Sequence, residues 1–86
     1  MRDASIPPRL RWRCRRGMQE LDVLLGRWLD SRWSEADPAM QQAFDDLLEC
    51  EDDRIWGWLM GRSEPEPALA GIVGEIRELG LGIGQH

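Results

Sequence analysis

Wherever apolar residues cluster in this chain they recur at helical spacing, and no stretch alternates strictly enough to make a strand. Met40, Ala43, Phe44, Leu47 and Leu48 form the clearest stripe, at i, i+3, i+4, i+7 and i+8. Asp37 and Pro38 precede it, an N-cap acceptor followed by proline at the first helical position. Leu21, Leu24, Leu25 and Trp28 repeat the spacing upstream, and Leu69, Ile72, Val73, Ile76 and Leu79 repeat it near the C-terminus. Ile55, Trp56, Leu59 and Met60 make a shorter stripe with Gly61 as its stop, and Ile6, Leu10 and Cys14 suggest one more helix, broken at Gly17. The expected fold is therefore all-α, a small single-domain bundle of about five short helices over roughly 8–16, 18–33, 38–49, 52–60 and 67–79. Ser63–Pro67 serves as the linker before the last helix, and a glycine-spaced tail at Gly80, Gly82 and Gly84 follows it.

Helices this short are marginal alone, so one shared core must hold them. Eighty-six residues suffice for one such domain, 1–86, and leave no room for a second. A deep substrate cavity is improbable in so small a core, which argues against a self-contained enzyme. No apolar run approaches the roughly 20 residues of a membrane span, and no apolar h-region follows the N-terminus. A cytoplasmic protein without membrane insertion is expected. In that reducing setting Cys14 and Cys50 read as small hydrophobes. With His86 as the one histidine, a zinc site lacks ligands, so no metal is expected.

The formal net charge of −5 conceals a segregation. Residues 1–16 hold six arginines and one aspartate, whereas the remaining seventy hold fifteen acids and five arginines, and there is no lysine. The segment Arg9–Arg16 has two functional readings. Its guanidinium forks with Trp12 suit a nucleic acid, or they suit a protein partner. The acids between Asp45 and Asp53 would repel a polyanion, which favours the protein partner. The plainer alternative is a basic face pairing with the acidic body.

Gly17 reads as a corner between the first two helices, because glycine enters left-handed conformations without steric penalty. Glu20 then falls in the first turn of the second helix, where the macrodipole favours a carboxylate. Arg16 and Glu20 are placed to pair across the turn, worth under about 1 kcal/mol if exposed. Trp56 and Trp58 cannot both face inward on one helix. The carboxylates at 45–53 lack the spacing of a calcium loop and read as a solvated face. No catalytic constellation, phosphate loop or dinucleotide fingerprint is present. Catalytic and cofactor-binding residues are accordingly expected to be none.

The run Arg13-Cys-Arg-Arg-Gly-Met-Gln-Glu-Leu-Asp22, with Phe44-Asp-Asp-Leu-Leu-Glu-Cys-Glu-Asp52 and Trp58-Leu-Met60, resembles the SdhE / succinate dehydrogenase assembly factor 2 family of flavinylation factors. The likeness spans roughly residues 9–60. It implies a five-helix protein that binds the flavoprotein subunit of succinate dehydrogenase, and in bacteria also that of fumarate reductase. Binding promotes covalent attachment of FAD to a histidine of that subunit. The family signature RGxxE falls on Arg16, Gly17 and Glu20, while Gln19 stands where members often carry a basic residue.

On that resemblance the protein is a non-catalytic assembly factor, a monomer when free, that holds no FAD stably and acts on FAD bound by its client. The Arg16–Gly17–Glu20 corner is expected to dock on the client near the isoalloxazine, with Arg9, Trp12, Arg13, Arg15 and Met18 extending the contact. The alternative is a small acidic helical regulator that binds nucleic acid or a protein through its arginine-rich N-terminal helix. A flavin carrier that itself binds FAD is disfavoured.

Overall fold

In the computed structural model, which describes residues 6–81, two turns are tied side by side, and the helices on either side of each enclose one core. The elements are α1 (Pro8–Arg13), α2 (Gln19–Arg32), a 3-10 turn (Trp33–Glu35), α3 (Pro38–Leu47), α4 (Asp52–Leu59), a second 3-10 turn (Pro67–Leu69) and α5 (Ala70–Leu81). The expected all-α class is what is found: among the described residues there are five α-helices and no strand. The expected tail residues Gly82 and Gly84, with His86, lie outside the described residues.

Local chemistry sets the clearest boundaries. Asp37 Oδ1 accepts from the amide of Met40 at 2.9 Å, and Pro38 opens α3. Gly61, at φ +76°, stops α4. Other boundaries differ from expectation. The first helix ends at Arg13 rather than 16: the Arg15 amide takes the Trp12 carbonyl three residues back, and the amides of Arg16 and Gly17 turn to Asp22 instead of the helix. The helix from 38 ends at Leu47 rather than 49, since the carbonyls of Leu48 and Cys50 point toward Arg16. Residues 67–69 form a 3-10 turn, and α5 runs on through Gly80 instead of stopping at 79. A Cβ at Gly80 would collide with the Leu24 side chain, so this glycine lets α2 and α5 close together.

All these faces meet in one core. Leu21, Leu24, Leu25, Trp28 and Leu29 of α2 pack with Phe44 and Leu47 of α3 and with Ile72, Val73 and Ile76 of α5. Trp28 stacks on Phe44 with centroids 4.7 Å apart, and its Nε1 donates to Glu75 at 3.0 Å. On α4 the inward tryptophan is Trp58, not Trp56 as the stripe suggested; Trp56 is half-buried. The Arg54 guanidinium lies 5.1 Å from the centre of the Trp58 ring and covers its outer side.

Candidate partner-binding site

The corner between α1 and α2 is built from its main chain outward. Gly17 has φ +91°, a region that side-chain-bearing residues rarely enter, and an added Cβ would meet nothing within 4 Å. The glycine is thus required by conformation rather than by crowding inside this chain. Asp22, in the first turn of α2, reaches back over the corner. Its carboxylate accepts from the amide of Arg16 at 2.9 Å and from that of Gly17 at 3.3 Å. These are amides that the bend leaves without helical partners.

The side chain of Arg16 turns inward, only 14% exposed, and crosses to the α3–α4 turn. Its Nε donates to Asp52, and Nη1 donates to the carbonyls of Leu48 at 3.0 Å and Arg13 at 3.2 Å. Nη2 donates to the carbonyl of Cys50. The expected Arg16–Glu20 pair is therefore corrected: Arg16 takes Asp52 and three carbonyls instead. The Arg13 carbonyl ends α1 and those of Leu48 and Cys50 follow α3, and a planar five-donor fork satisfies all three at once.

Much of the charge segregation resolves in the same direction. Arg13 bridges Asp45 at 2.8 Å and Glu49, Arg9 adds Asp45 at 3.2 Å, and Arg11 pairs with Asp30 at 2.7 Å. The basic N-terminal segment is largely neutralised by carboxylates of its own chain, which leaves little of it for phosphate. Among the described residues Arg15 forms no ion pair and lies 5.9 Å from the centre of the Trp12 ring.

What remains outward is a compact face. Trp12 is 71% and Val23 49% exposed, and Glu20, Gln19, Arg15 and Gly17 are exposed around them. Met18 is half-buried against the core. Between α1 and α2 runs an open groove of about 550 Å³ with Cys14, Gly26 and Leu29 along its base and Arg15, Gly17 and Val23 at its margin. A smaller hollow of about 290 Å³ between Trp12 and Pro8 adjoins it through Arg11 and Arg15. Burial pushes the Cys14 thiol up to about 11, and the Cys50 thiol is raised for the same reason. Both cysteines are free, and among the described residues no group of three or more potential ligands could hold a metal ion.

Of the expected site residues, Gly17, Glu20, Trp12 and Arg15 share the outward face. Arg16, Arg9 and Arg13 turn to the acidic flank. Asp22 and Asp52 organise the corner and were not among the expected residues. An acid in the first turn after a glycine corner was the available signal for Asp22; none existed for Asp52, which lies 36 residues from Arg16.

Comparison with known proteins agrees with the motif reading. Residues 8–80 match the family described as Sdh5, flavinator of succinate dehydrogenase. A protein of Xylella fastidiosa (strain 9a5c) described as FAD assembly factor SdhE is 47% identical over 72 residues, 83% of this chain and 74% of that protein. Another of that description, from Aliivibrio fischeri (strain ATCC 700601 / ES114), is 42% identical over 82 residues, 94% of this chain and 95% of the relative. A third, from Pseudomonas aeruginosa, is 47% identical over 68 residues, covering 79% of this chain and 81% of its own. No solved structure matches significantly. A signature-bearing corner, a five-helix fold and a family match over nearly the whole chain converge, and the chain belongs to the family of succinate dehydrogenase flavinators.

Proposed function

We propose that this chain is an assembly factor that binds the flavoprotein subunit of succinate dehydrogenase and promotes covalent attachment of FAD to it. The observation that carries this reading is the family match over residues 8–80, with the RGxxE signature at Arg16, Gly17 and Glu20. On this reading the chain is a non-catalytic, cytoplasmic monomer that also serves the fumarate reductase flavoprotein. It holds no FAD stably, and the reacting histidine and flavin both belong to the client. The helper accelerates the reaction by fixing a client domain in the arrangement that brings those groups into line.

The corner is suited to that work because its shape is set within the chain. Asp22 locks the amides of Arg16 and Gly17, and Arg16 ties the bend to the α3–α4 turn. Arg16 is then a positioning residue, while Glu20, Trp12 and Arg15 make the contact and the bare Gly17 permits close approach. Contact groups held rigid from behind are what a docking face needs.

The test is capture from native cytoplasm with tagged wild type and Glu20→Ala, followed by covalent flavin fluorescence in the denatured partner. The wild type is expected to bring down a fluorescent flavoprotein of dehydrogenase size, and Glu20→Ala to lose it. No flavoprotein in either lane would overturn the reading.

A further inference from the structure

Seven glycines fall within the described helices and corners, and three have a reason internal to the fold. Gly17 and Gly61 adopt positive φ and a Cβ at Gly80 would strike Leu24, whereas Cβ atoms at Gly57 and Gly71 would make only ordinary contact with Ser63 and Met40. Gly26 and Gly74 have neither positive φ nor any neighbour within 4 Å of an added Cβ. Of the four glycines without such a reason, Gly26 alone lines a groove, at the base of the cleft between α1 and α2.

Gly26 also sits in the middle of a fourteen-residue helix, where glycine is among the least favourable residues. Nothing inside this chain compensates. Alanine would fit without a clash, and the core face of α2 is formed by Leu21, Leu24, Leu25, Trp28 and Leu29 instead. Val23 and Gly26 lie one turn apart on the face turned toward α1. The empty space above Gly26 is bordered by the half-exposed Val23 and leads to the exposed Trp12.

Its charge is equally defined. Asp22 is committed to the corner amides, whereas Arg15 at the rim forms no ion pair among the described residues. Gly17 and Gln19 line the groove together with Gly26, so the groove opens directly onto the corner.

We propose that Gly26 is a specificity-determining position: the space above it receives a bulky apolar side chain of the flavoprotein client, carried beside a carboxylate that Arg15 meets. This rests on the assembly-factor reading, and it adds the chemistry of the client segment and the residue that admits it. The apolar side chain replaces water over Val23 and the helix backbone, and the carboxylate fixes its register. A single side chain at position 26 fills the receptor space without touching the signature.

The experiment compares wild type, Gly26→Ala, Gly26→Leu, Arg15→Glu and Glu20→Ala for affinity to the purified apo flavoprotein subunit and for the rate of covalent flavinylation. Melting and far-UV CD are recorded for each. Both Gly26 variants are expected to melt at or above the wild-type temperature. Gly26→Leu loses tenfold or more in affinity, Gly26→Ala loses less, and Arg15→Glu is comparable to Gly26→Leu. If Gly26→Leu folds poorly, the same ordering must still hold for Gly26→Ala against wild type, with a measurable loss at undiminished stability. Wild-type affinity in Gly26→Ala and Gly26→Leu, alongside loss in Glu20→Ala, would overturn this inference and leave the assembly-factor reading standing. Absence of binding by the wild type would overturn both.

Discussion

Asp22 Oδ1 accepts from the main-chain amide of Arg16 at 2.9 Å, so the first turn of α2 holds in place the bend that leads into it. The other oxygen takes the amide of Gly17. One carboxylate therefore does for this corner what a capping side chain does for a helix end, but from inside the helix. Asp22→Ala should cost about 1 kcal/mol, the scale of a lost cap, and lower the melting temperature by roughly 4–8 °C. Amide exchange at residues 16 and 17 should accelerate more than elsewhere. Asp22→Asn, which keeps one acceptor oxygen, should fall between wild type and Asp22→Ala.

Gly17 tests conformation against space. Since a Cβ there meets nothing within 4 Å, Gly17→Ala and Gly17→Arg should be destabilised by a similar amount, about 1–2 kcal/mol from the positive φ alone. Helical CD should persist in both. Client capture should fall far more in Gly17→Arg, because the added bulk stands on the docking face. Equal loss in the two variants would assign the defect to the backbone.

Arg16→Ala should be the most damaging change in the corner, on the order of 2–4 kcal/mol. It strands the Asp52 carboxylate and the carbonyls of Leu48 and Cys50. Arg16→Lys should recover less than half of that, because an ammonium cannot present the same fork to partners on two sides. Chemical denaturation of the two variants measures both effects.

The chain has neither lysine nor tyrosine, so among side chains only the two thiols titrate between pH 9 and 11. Burial raises Cys14 from about 9 to about 11, and the folded state therefore holds a proton there that the unfolded state releases. The stability this represents is fully present below pH 9 and is lost as pH rises to about 11. Its size is on the order of 2 kcal/mol. Melting curves at pH 8 and 10.5 should show the fall in wild type and a much smaller one in Cys14→Ala, where the raised Cys50 leaves a residual slope of the same sign. Alkylation at pH 8 should modify Cys50 well before the buried Cys14.

Features coded by neighbouring residues were readable in the sequence. The start of α3 follows from Asp37 and Pro38, the end of α4 from Gly61, and the corner from Gly17. The core stripes of α2 and α5 follow from helical periodicity. Trp58 was misassigned because Ile55, Trp56, Leu59 and Ile55, Trp58, Leu59 both fit one helical face. The choice between them falls to packing and to the Arg54 guanidinium over the ring.

Residues 14–16 and 48–49 read as helix by pattern, yet both lie outside the helices, where Arg16 reaches across to the carbonyls of Leu48 and Cys50. That contact joins segments more than thirty residues apart, and periodicity carries no information about it. The signature positions were legible as a motif, but their division of labour was not. Arg16 looked like a surface partner of Glu20 and is instead an internal tie, and Gly26 gave no sign beyond being a glycine in a helix.

The bond from Arg16 to the α3–α4 turn has a kinetic consequence. A face already fixed before encounter loses little conformational freedom on contact, so the loss of freedom that usually opposes association is small here. Complex formation should then be limited by orientation during collision, with little waiting for a loop to arrange itself. Loosening the tie would slow the approach to the client even where every contacting side chain remains unchanged.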